Sequence, residues 1–453
     1  MAELSRDELV LRTIHRANGA PFFAEHLKGV VVTGESDLPK LPFLRKKHMK
    51  TRPAEDFLAI DRSRVWHYHE SFGTTGARVY GWYSLKDFEA EIPIIKVWME
   101  AFGPGKTIIN RLPYAFPVPS HLAETGARLV GGCLLPAGNM NFNVGYKRVL
   151  ELVERMDVTS MVSFPLEPVQ LAELARIQGK DPAKDFPAFK NFNMAGRLLT
   201  PSLKRSIEEQ WGGATIRNLY GCTEGGPFAT SCPEGHLHLH DSDFAFEILD
   251  PETKRPIGPG LVGVLVATTF RREAQPMVRY WTGDLVRWPA EPCNCGRNGR
   301  RIEVLGRHGD EIVWKDRRHY PYDLEETVLQ EVTRLGSNIW FNILTRRGLT
   351  VRVEVRDRSV KPDAAALEEK LGIPTRIELC KPSDIVNHVA LLTQAKIFKP
   401  FTLSDWRGGG RKVINLSGGS IDWWADFTPK IMWMQLKKGT VDWFYRWWRR
   451  IVG

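Results

Sequence analysis

A glycine- and hydroxyl-rich stretch, SFGTTG at residues 71–76, is the first segment whose composition points to chemistry. Its side chains are too small to fill a core, whereas its consecutive backbone N–H groups and hydroxyls can donate hydrogen bonds to phosphate oxygens. No Gly-Lys-Ser/Thr sequence follows, so the stretch is not a Walker A loop. Taken alone, it is more typical of a simple turn than of a phosphate site.

Three more stretches carry charged or hydroxyl groups after strand-like segments. In NLYGCTEGGP, residues 218–227, Thr223 and Glu224 stand side by side. This pair suits a phosphate and Mg²⁺, because Mg²⁺ prefers a carboxylate together with substrate phosphates. In RYWTGDLVRW, Asp284 can accept two hydrogen bonds from a ribose diol. The fourth stretch, RIEVLGRHGDEIV, contains Arg307, and each stretch alone is also compatible with an ordinary turn.

The elements around these stretches alternate between helix and strand. YKRVLELVERMDV has helical apolar spacing and is followed by the buried strand VTSMVSF and the helix EPVQLAELARIQG, which favours α/β layering. LTPSLKRSIEEQWGG predicts a helix with Thr200 as its N-cap and Pro201 at its first position. ATIRNLYG then predicts a strand that ends in a glycine turn.

The texture of the chain divides it into three parts. Residues 1–306 predict a large α/β part with several sheets, which becomes β-rich from about residue 244. Residues 307–416 predict a small α+β part, whose β-β-α-β pattern includes valines alternating with charged residues. Residues 417–453 form a tail rich in Trp and Arg.

Composition narrows the class of partner and compartment. The 453 residues carry a net charge of +10, which favours anionic partners or reflects an evenly basic surface. Nothing else in the sequence supports nucleic-acid binding. Six cysteines are too few for a disulfide scaffold. The first residues predict an amphipathic helix rather than a signal peptide, and no apolar run reaches the about 18 residues of a membrane span. We therefore expect a cytoplasmic protein.

Together, in this order and at these spacings, the four stretches resemble the adenylate-forming superfamily of acyl-CoA synthetases and ligases. Within it, the chain is most similar to the phenylacetate-CoA ligase branch, through LPKLPFLRKKHMK, IHRANGAPFFAEHL and CNCGRNGRRIEVLGR. The resemblance covers about residue 9 to about residue 415. It implies a large α/β domain and a small α+β lid that begins at Arg307.

The resemblance also implies the reaction. A carboxylic acid, with an aromatic acid as one option, is activated by ATP and Mg²⁺ to an acyl-adenylate, and the acyl group then passes to a thiol, with CoA expected. One alternative to this reaction is transfer of the acyl group to an amine or a carrier protein. The other alternative is a weakly catalytic or non-catalytic scaffold that binds nucleotide or acyl groups and is anchored by its tail.

Site residues follow from the resemblance in three groups. The loop for the β- and γ-phosphates comprises Ser71, Gly73, Thr74, Thr75 and Gly76. The adenine pocket comprises Ala195, Gly196, Asn218, Tyr220 and Gly221, with the tyrosine covering the adenine face. Thr223 is expected to contact the α-phosphate and Glu224 to bind Mg²⁺. Asp284 and Arg307 are expected to hold the ribose hydroxyls.

Four residues form a candidate structural zinc site, Cys₃His, at positions where the branch carries one: Cys232, His238, Cys293 and Cys295. His236 and His240 are nearby alternatives for the single imidazole ligand, although the family pattern favours His238. Free buried cysteines are the alternative to a metal site. The spacing C-x-C is tighter than that of the usual zinc knuckle.

Three positions depart from the family pattern. Arg78 stands close to where the phosphate loop normally has a lysine, and Arg197 stands where the adenine loop normally has a glutamate. The C-terminal lysine that stabilises the adenylation transition state aligns with Gly409. Either a neighbouring cation such as Arg411 or Lys412 substitutes, or adenylation is slow, or the chain performs only part of the chemistry.

The tail, residues 417–453, has no counterpart in the resemblance. Its mixture of Trp and Arg, as in VDWFYRWWRR, is compatible with peripheral contact at a membrane interface. Packing on the enzyme's own surface and a subunit contact are the two alternatives.

Overall fold

The fold is described from a computed structural model, which covers residues 4–71, 78–115, 118–139, 144–386, 388–393, 402–408 and 412–413. The α-helices within these ranges are α1 (Arg6–Ala17), α2 (Pro21–His26), α3 (Lys46–Thr51), α4 (Leu85–Met99), α5 (Pro119–Leu129), α6 (Tyr146–Arg155), α7 (Glu167–Ile177), α8 (Pro182–Asp185), α9 (Pro201–Gln210), α10 (Pro321–Arg334), α11 (Ala364–Leu371) and α12 (His388–Thr393). Three short 3₁₀ helices span Glu35–Lys40, Ala54–Phe57 and Arg62–Arg64.

The strands within the same ranges are β1 (Leu44–Arg45), β2 (Val65–Glu70), β3 (Tyr80–Ser84), β4 (Thr107–Asn110), β5 (Cys133–Pro136), β6 (Val158–Ser163), β7 (Asn191–Ala195), β8 (Thr215–Cys222), β9 (Gly226–Ser231), β10 (Leu237–Leu239), β11 (Phe244–Leu249), β12 (Val262–Thr269), β13 (Tyr280–Arg287), β14 (Arg301–Arg307), β15 (Ile312–Trp314), β16 (Arg317–His319), β17 (Trp340–Thr345), β18 (Gly348–Glu354), β19 (Thr375–Cys380), β20 (Leu403–Asp405) and β21 (Lys412–Val413).

The main sheet has 12 strands and joins a parallel half to an antiparallel half. Its order is β5-β4-β6-β7-β8 and then β9-β10-β14-β13-β12-β11, with β1 paired to β13. The pairs β4–β5, β4–β6, β6–β7 and β7–β8 are parallel. The carboxyl ends of these strands therefore meet at one edge, which is where open α/β sheets bind ligands.

The predicted helix–strand pattern of the large part is confirmed. The helix expected in YKRVLELVERMDV is α6, the buried strand VTSMVSF is β6, and ATIRNLYG is β8. At the start of α9, the Thr200 side chain accepts a hydrogen bond from the Leu203 N–H and Pro201 occupies the first turn, as predicted. One detail differs: Met156, assigned to the apolar stripe of α6, is 40% exposed, because the helix ends at Arg155.

Residues after β14 form a second sheet of five strands in the order β19-β18-β17-β20-β21. The predicted β-β-α-β pattern is present as β17, β18, α11 and β19. A single buried cluster nevertheless runs from α6, α7 and α9 of the large part to α10, β17 and β18 of the small part. The division at residue 307 stays a prediction, because the second sheet is separate while the core is shared.

A buried ion pair links the two parts. Arg197, just after β7, donates from its two terminal nitrogens to Glu325 on α10 at 2.8 and 2.5 Å. Both side chains are 1% exposed. Thr402 completes the contact, since its hydroxyl accepts from Arg197 at 3.0 Å and donates to Glu325 at 2.8 Å. Arg197, which replaces the glutamate of the family pattern, is therefore paired with an acidic residue, Glu325, on α10.

The tail assignments lie outside the described residues. So do the expected lysine position, Gly409, and the neighbouring Arg411. None of the helices in the described part of the chain is long and apolar enough to cross a membrane.

Loss of the buried ion pair should destabilise the protein. We expect Glu325→Ala to lower the free energy of unfolding by about 3–5 kcal/mol, because it leaves the Arg197 charge buried without a partner. The double variant Arg197→Met with Glu325→Leu should recover most of that loss, since apolar replacement of both partners is often neutral. Urea unfolding measures both changes.

The control is Glu151→Ala, which breaks the pair with Arg148, whose side chains are 42% and 45% exposed. An exposed pair contributes at most about 1 kcal/mol. A loss for Glu325→Ala no larger than that of the control would contradict the assigned role of the buried pair.

Candidate functional site

The residues predicted for nucleotide binding converge on one cavity of about 640 Å³. The cavity lies at the carboxyl ends of β4, β6, β7 and β8 and reaches across to β13 and β14. The predicted residues that line it are Ser71, Ala195, Gly196, Asn218, Tyr220, Gly221, Thr223, Glu224, Asp284 and Arg307. The other members of the phosphate loop, Gly73, Thr74, Thr75 and Gly76, lie outside the described residues.

At one end of the cavity, Tyr220, Asp284 and Arg307 form a connected set. The Tyr220 hydroxyl donates to one Asp284 oxygen at 2.8 Å, and the Arg307 Nε lies 3.7 Å from the other. Asp284 and Arg307 are direct partners in the β13–β14 register, so the sheet itself fixes their distance. Such a carboxylate–guanidinium pair offers both an acceptor and a donor to a diol.

The surroundings raise the pKa of both Tyr220 and Arg307, which keeps the phenol protonated and the guanidinium charged. Burial and then the Asp284 charge raise the pKa of Tyr220 well above its usual range, so the phenol stays a donor. Burial acts to lower the pKa of Arg307, but Asp284 and Glu224 outweigh it and the pKa is raised. Arg307 is therefore a fixed positive charge at the cavity wall.

The turn between β8 and β9 carries Thr223 and Glu224. Its backbone is tightly closed, because a Cβ on Gly221 would lie 2.3 Å from the Gly226 carbonyl oxygen. Glu224 is 2% exposed, and one of its oxygens accepts a hydrogen bond from the Tyr280 hydroxyl. The tyrosine orients the carboxylate. Thr223 and Glu224 both line the cavity, and a hydroxyl together with a carboxylate fits phosphate and Mg²⁺.

The hairpin β2–β3, which flanks the phosphate loop, is fastened to the same turn. Tyr83 on β3 donates to the Thr223 carbonyl oxygen at 2.7 Å. At the base of the loop, the Ser71 N–H donates to the Val79 carbonyl at 2.7 Å, and the Val79 N–H donates back to the Ser71 hydroxyl at 3.0 Å. The buried Gln275 side chain bonds the β3 backbone at two positions. Ser71 and Val79, which flank residues 72–77, are therefore bonded to each other. The hairpin that contains them is joined to the turn at Thr223.

Another part of the cavity wall is apolar. Its wall is formed by residues that follow β4 and β6 and by the start of α5, namely Leu112, Pro113, Val118, Pro119, Leu122 and Phe164. Phe164 lies in the stretch SFPLEP, residues 163–168, at the end of β6. Among the described positions of residues 131–147, none lines the cavity, and the apolar wall comes from residues 112–122 and Phe164.

Several cationic side chains that were not identified from the sequence line the cavity, and two of them share one short helix. Lys46 and Lys50 on α3 both line the cavity. A signal was present, since two lysines four apart share one face of a helix, but α3 is short and basic enough to read as a solvated surface. Arg78, expected to supply charge to the phosphate loop, is instead exposed and donates to Glu70 at 2.9 Å; it is not among the described lining residues.

The four residues of the predicted zinc site come together. Cys232 follows β9, His238 lies on β10, and Cys293 and Cys295 lie in the loop between β13 and β14. One ligand atom from each falls within 4.8 Å of all the others. The Cys232 and Cys293 sulfurs are 3.8 Å apart, and the Cys295 sulfur is 3.4 Å from His238 Nε2.

These distances fit a tetrahedral zinc ion. With Zn–S near 2.3 Å, two sulfurs of a tetrahedron lie about 3.8 Å apart. His238 Nδ1 lies 3.1 Å from the Gly299 carbonyl, and a donor at Nδ1 leaves the Nε2 lone pair for a metal. Gly299 has φ +100°, and a Cβ there would lie 2.1 Å from the Leu239 carbonyl oxygen, so the loop needs glycine at this point. His236 Nδ1 is also 3.3 Å from Cys293, which keeps it as a neighbouring alternative.

The sequence is similar to known AMP-binding enzymes and CoA ligases. A family model described as AMP-binding enzyme matches residues 87–281. A phenylacetate-coenzyme A ligase of Thermus thermophilus is 29% identical over 304 residues, which cover 65% of this chain and 66% of that enzyme. The match thus spans just under two thirds of that relative. A phenylacetate-coenzyme A ligase of Escherichia coli is 26% identical over 337 residues, covering 72% of this chain and 74% of the enzyme.

The same architecture occurs in a solved structure. The crystal structure of 2-hydroxyisobutyryl-CoA ligase in the postadenylation state, in complex with 2-HIB-AMP, matches with a TM-score of 0.76 at 20% identity. The match covers 89% of this chain and 90% of that one. At this identity the likeness shows that the fold is shared.

Proposed function

We propose that this chain is an adenylate-forming enzyme of the AMP-binding family and that it acts as an acid–thiol ligase that uses ATP and CoA. The observation that carries the proposal is the convergence on one cavity of residues from four separate stretches of the chain. Those stretches offer donors for phosphate, a buried carboxylate for Mg²⁺ and a charged pair for a ribose.

The proposed reaction has two steps. A free carboxylate is a poor electrophile, so one of its oxygens first attacks the α-phosphorus of ATP, the bond to the bridging oxygen of the β-phosphate breaks, and pyrophosphate leaves. A thiolate sulfur then attacks the acyl carbonyl, and AMP leaves with the electrons of the broken C–O bond. Both steps depend on positioning and on neutralising phosphate charge.

Each wall of the cavity has a role in this proposal. Tyr220 covers the adenine, while Asp284 and Arg307 hold the ribose hydroxyls. Thr223 donates to the α-phosphate. Mg²⁺ held by Glu224 would neutralise charge on the phosphates. The loop at residues 71–76 would donate to the outer phosphates, which is the role that its residue types suggest.

Positive charge from α3 bears on the missing C-terminal lysine. The expected lysine position is Gly409, while Lys46, Lys50 and Ser71 all line the cavity. We propose that these two side chains supply the cationic field that the phosphates require. The chain would then keep adenylation activity in spite of the substitution at 409.

The acid is proposed to have an apolar body. The wall formed by Leu112, Val118, Leu122 and Phe164 offers hydrocarbon surface, which favours a ring or a branched chain over a hydroxylated one. An aromatic acid fits this wall and agrees with the names of the relatives. The acceptor thiol is proposed to be CoA.

We propose zinc as the ion of the Cys₃His group, in a structural role. It would fasten the β9–β10 turn to the loop before β14, and the thiolate-rich donor set suits Zn²⁺. Residues 307–416 are proposed to act as the lid for the two half-reactions. For the tail, peripheral membrane contact remains one proposal beside self-packing and subunit contact.

A panel of acids tests the activity. We expect acid-dependent pyrophosphate release with phenylacetate and other apolar acids, weaker release with dicarboxylates, and thioester only when CoA is present. Mass spectrometry of the products separates the alternatives. Acyl-amine product without CoA would favour the amine acceptor, and no acid-dependent release with any acid would favour the scaffold and contradict the proposal.

Removal of the Glu224 charge tests the metal assignment. We expect Glu224→Gln to lower acid-dependent pyrophosphate release on the order of 100-fold, because the carboxylate that binds Mg²⁺ is lost. Tyr280→Phe is the matched control: it removes the hydrogen bond to the same carboxylate but keeps its charge, and should cost less than about 10-fold. Unchanged turnover in a folded Glu224→Gln protein would overturn the assignment.

Metal analysis tests the zinc proposal. We expect Cys293→Ser with Cys295→Ser to lose about one zinc equivalent relative to wild type and to unfold at lower temperature, since metal binding stabilises the fold. Cys133→Ser, at an exposed cysteine on β5, is the control and should change neither quantity. Equal metal content in all three proteins would rule out the thiolate site.

A further inference from the structure

Three histidines outside both sites described above lie together at the base of the phosphate loop. His67 and His69 are two residues apart on β2, so their side chains share one face of the strand. His121 lies in the first turn of α5. One ring nitrogen from each of the three falls within 4.8 Å of the other two.

Distances within the group match a metal site. His67 Nδ1 and His69 Nε2 are 3.2 Å apart. Two nitrogens bound to a tetrahedral Zn²⁺ at 2.0–2.1 Å lie about 3.3 Å apart, so this separation suits two ligands on one ion as well as a hydrogen bond between the rings. The ring centroids of His67 and His69 lie 5.0 and 5.2 Å from that of His121, which brings the third imidazole to the same point.

Surrounding side chains fix the three rings. Trp66 lies against His67 at a centroid distance of 4.1 Å with the two rings tilted by 37°, and Phe88 meets the His67 ring edge-on at 5.2 Å. Tyr83 meets His69 edge-on at 5.3 Å. His121 Nε2 lies 3.2 Å from the Tyr114 carbonyl. When that nitrogen carries the proton, the Nδ1 lone pair remains for a metal, and such a carbonyl contact is the usual support of a metal-binding histidine.

We propose that His67, His69 and His121 form a second divalent-metal site, which takes Zn²⁺ through three imidazole nitrogens. The site contains no thiolate, which separates it chemically from the Cys₃His group. His69 is buried, while His67 and His121 are partly exposed. Three protein ligands with solvent access leave a coordination position open for water or a small anion.

The location gives the site a consequence for its surroundings. β2 leads directly into the loop at residues 71–76, and α5 begins at the apolar wall of the cavity through Val118 and Leu122. A metal ion bound by both elements would hold the loop's strand against the helix of the acid wall. This inference rests on the histidine geometry and stands whether or not the proposed ligase activity is found.

Cobalt substitution tests the proposal on the full-length, untagged protein. Metal is removed with a chelator, and Co²⁺ is titrated while absorption is recorded. Cobalt at the thiolate site gives a sulfur-to-metal charge-transfer band, whereas cobalt bound only by imidazoles gives visible d–d bands without it. We expect a further cobalt equivalent in wild type that adds visible absorption but no charge-transfer intensity.

Variants assign that equivalent to the three histidines. His67→Gln and His121→Gln should each remove the added visible absorption and one equivalent of bound metal, and leave the charge-transfer band intact. His15→Gln, on the exposed side of α1, is the control and should match wild type. Circular dichroism of the metal-free variants checks that they are folded.

Two outcomes would overturn the proposal. One is a wild-type titration in which all bound cobalt appears in the charge-transfer band, which would make the three histidines an aromatic packing cluster. The other is a folded His67→Gln protein that binds as much nitrogen-only cobalt as wild type. Because the readout is a spectrum of bound metal, neither outcome depends on catalysis, so failure here is distinguishable from failure of the ligase proposal.

Discussion

The parallel pairing of β4, β6, β7 and β8 is the constraint on which the site depends. Strands that run in the same direction end at the same edge, so chain segments far apart in sequence leave the sheet side by side. The turn after β8 and the loop after β7 come to one cavity for this reason. The antiparallel pair β13–β14 then adds Asp284 and Arg307 in fixed register from the other half of the sheet.

Two buried ion pairs lie in this region. Arg197 faces Glu325, and Arg111 faces Glu167, with all four side chains at most 2% exposed. In a low-dielectric interior, an unpaired charge costs far more than the net gain from a pair, so the observed pairs act mainly as constraints on geometry. Glu224 is held differently, by a neutral phenol, which orients the carboxylate and leaves its charge for a cation.

Sequence reasoning predicted elements such as α6, α9, β6 and β8, and it selected residues that the structure brings together around one cavity. Local signals sufficed for α9, with its Thr200 cap, and for strands such as β6 and β8, because capping and apolar spacing depend on near neighbours. Long-range pairings were not predictable in this way. The parallel pair β17–β20 joins segments on either side of β18 and β19, and no local pattern specifies it. From the sequence, Arg197 was only a departure from the family pattern, because its partner Glu325 lies 128 residues away along the chain.

The cavity also shows where residue types mislead. α3 reads as a basic surface segment, yet Lys46 and Lys50 face the site, because β1 joins the main sheet beside β13 and carries the following helix with it. The sequence did not reveal the histidine cluster, because two of its members lie on β2 and the third lies on α5. In each case the missing information was which elements lie side by side in the fold.

The buried contact among Arg197, Glu325 and Thr402 has a consequence for motion between the two sheets. A guanidinium that makes two parallel bonds to one carboxylate tolerates little rotation, so α10 cannot swivel gradually about this point. Any turn of the second sheet must first separate the pair and admit water to both charges. Mobile counter-ions, which weaken the exposed ion pairs of the surface, do not reach it. The relative orientation of the sheets should therefore change in discrete jumps, at a rate largely independent of ionic strength.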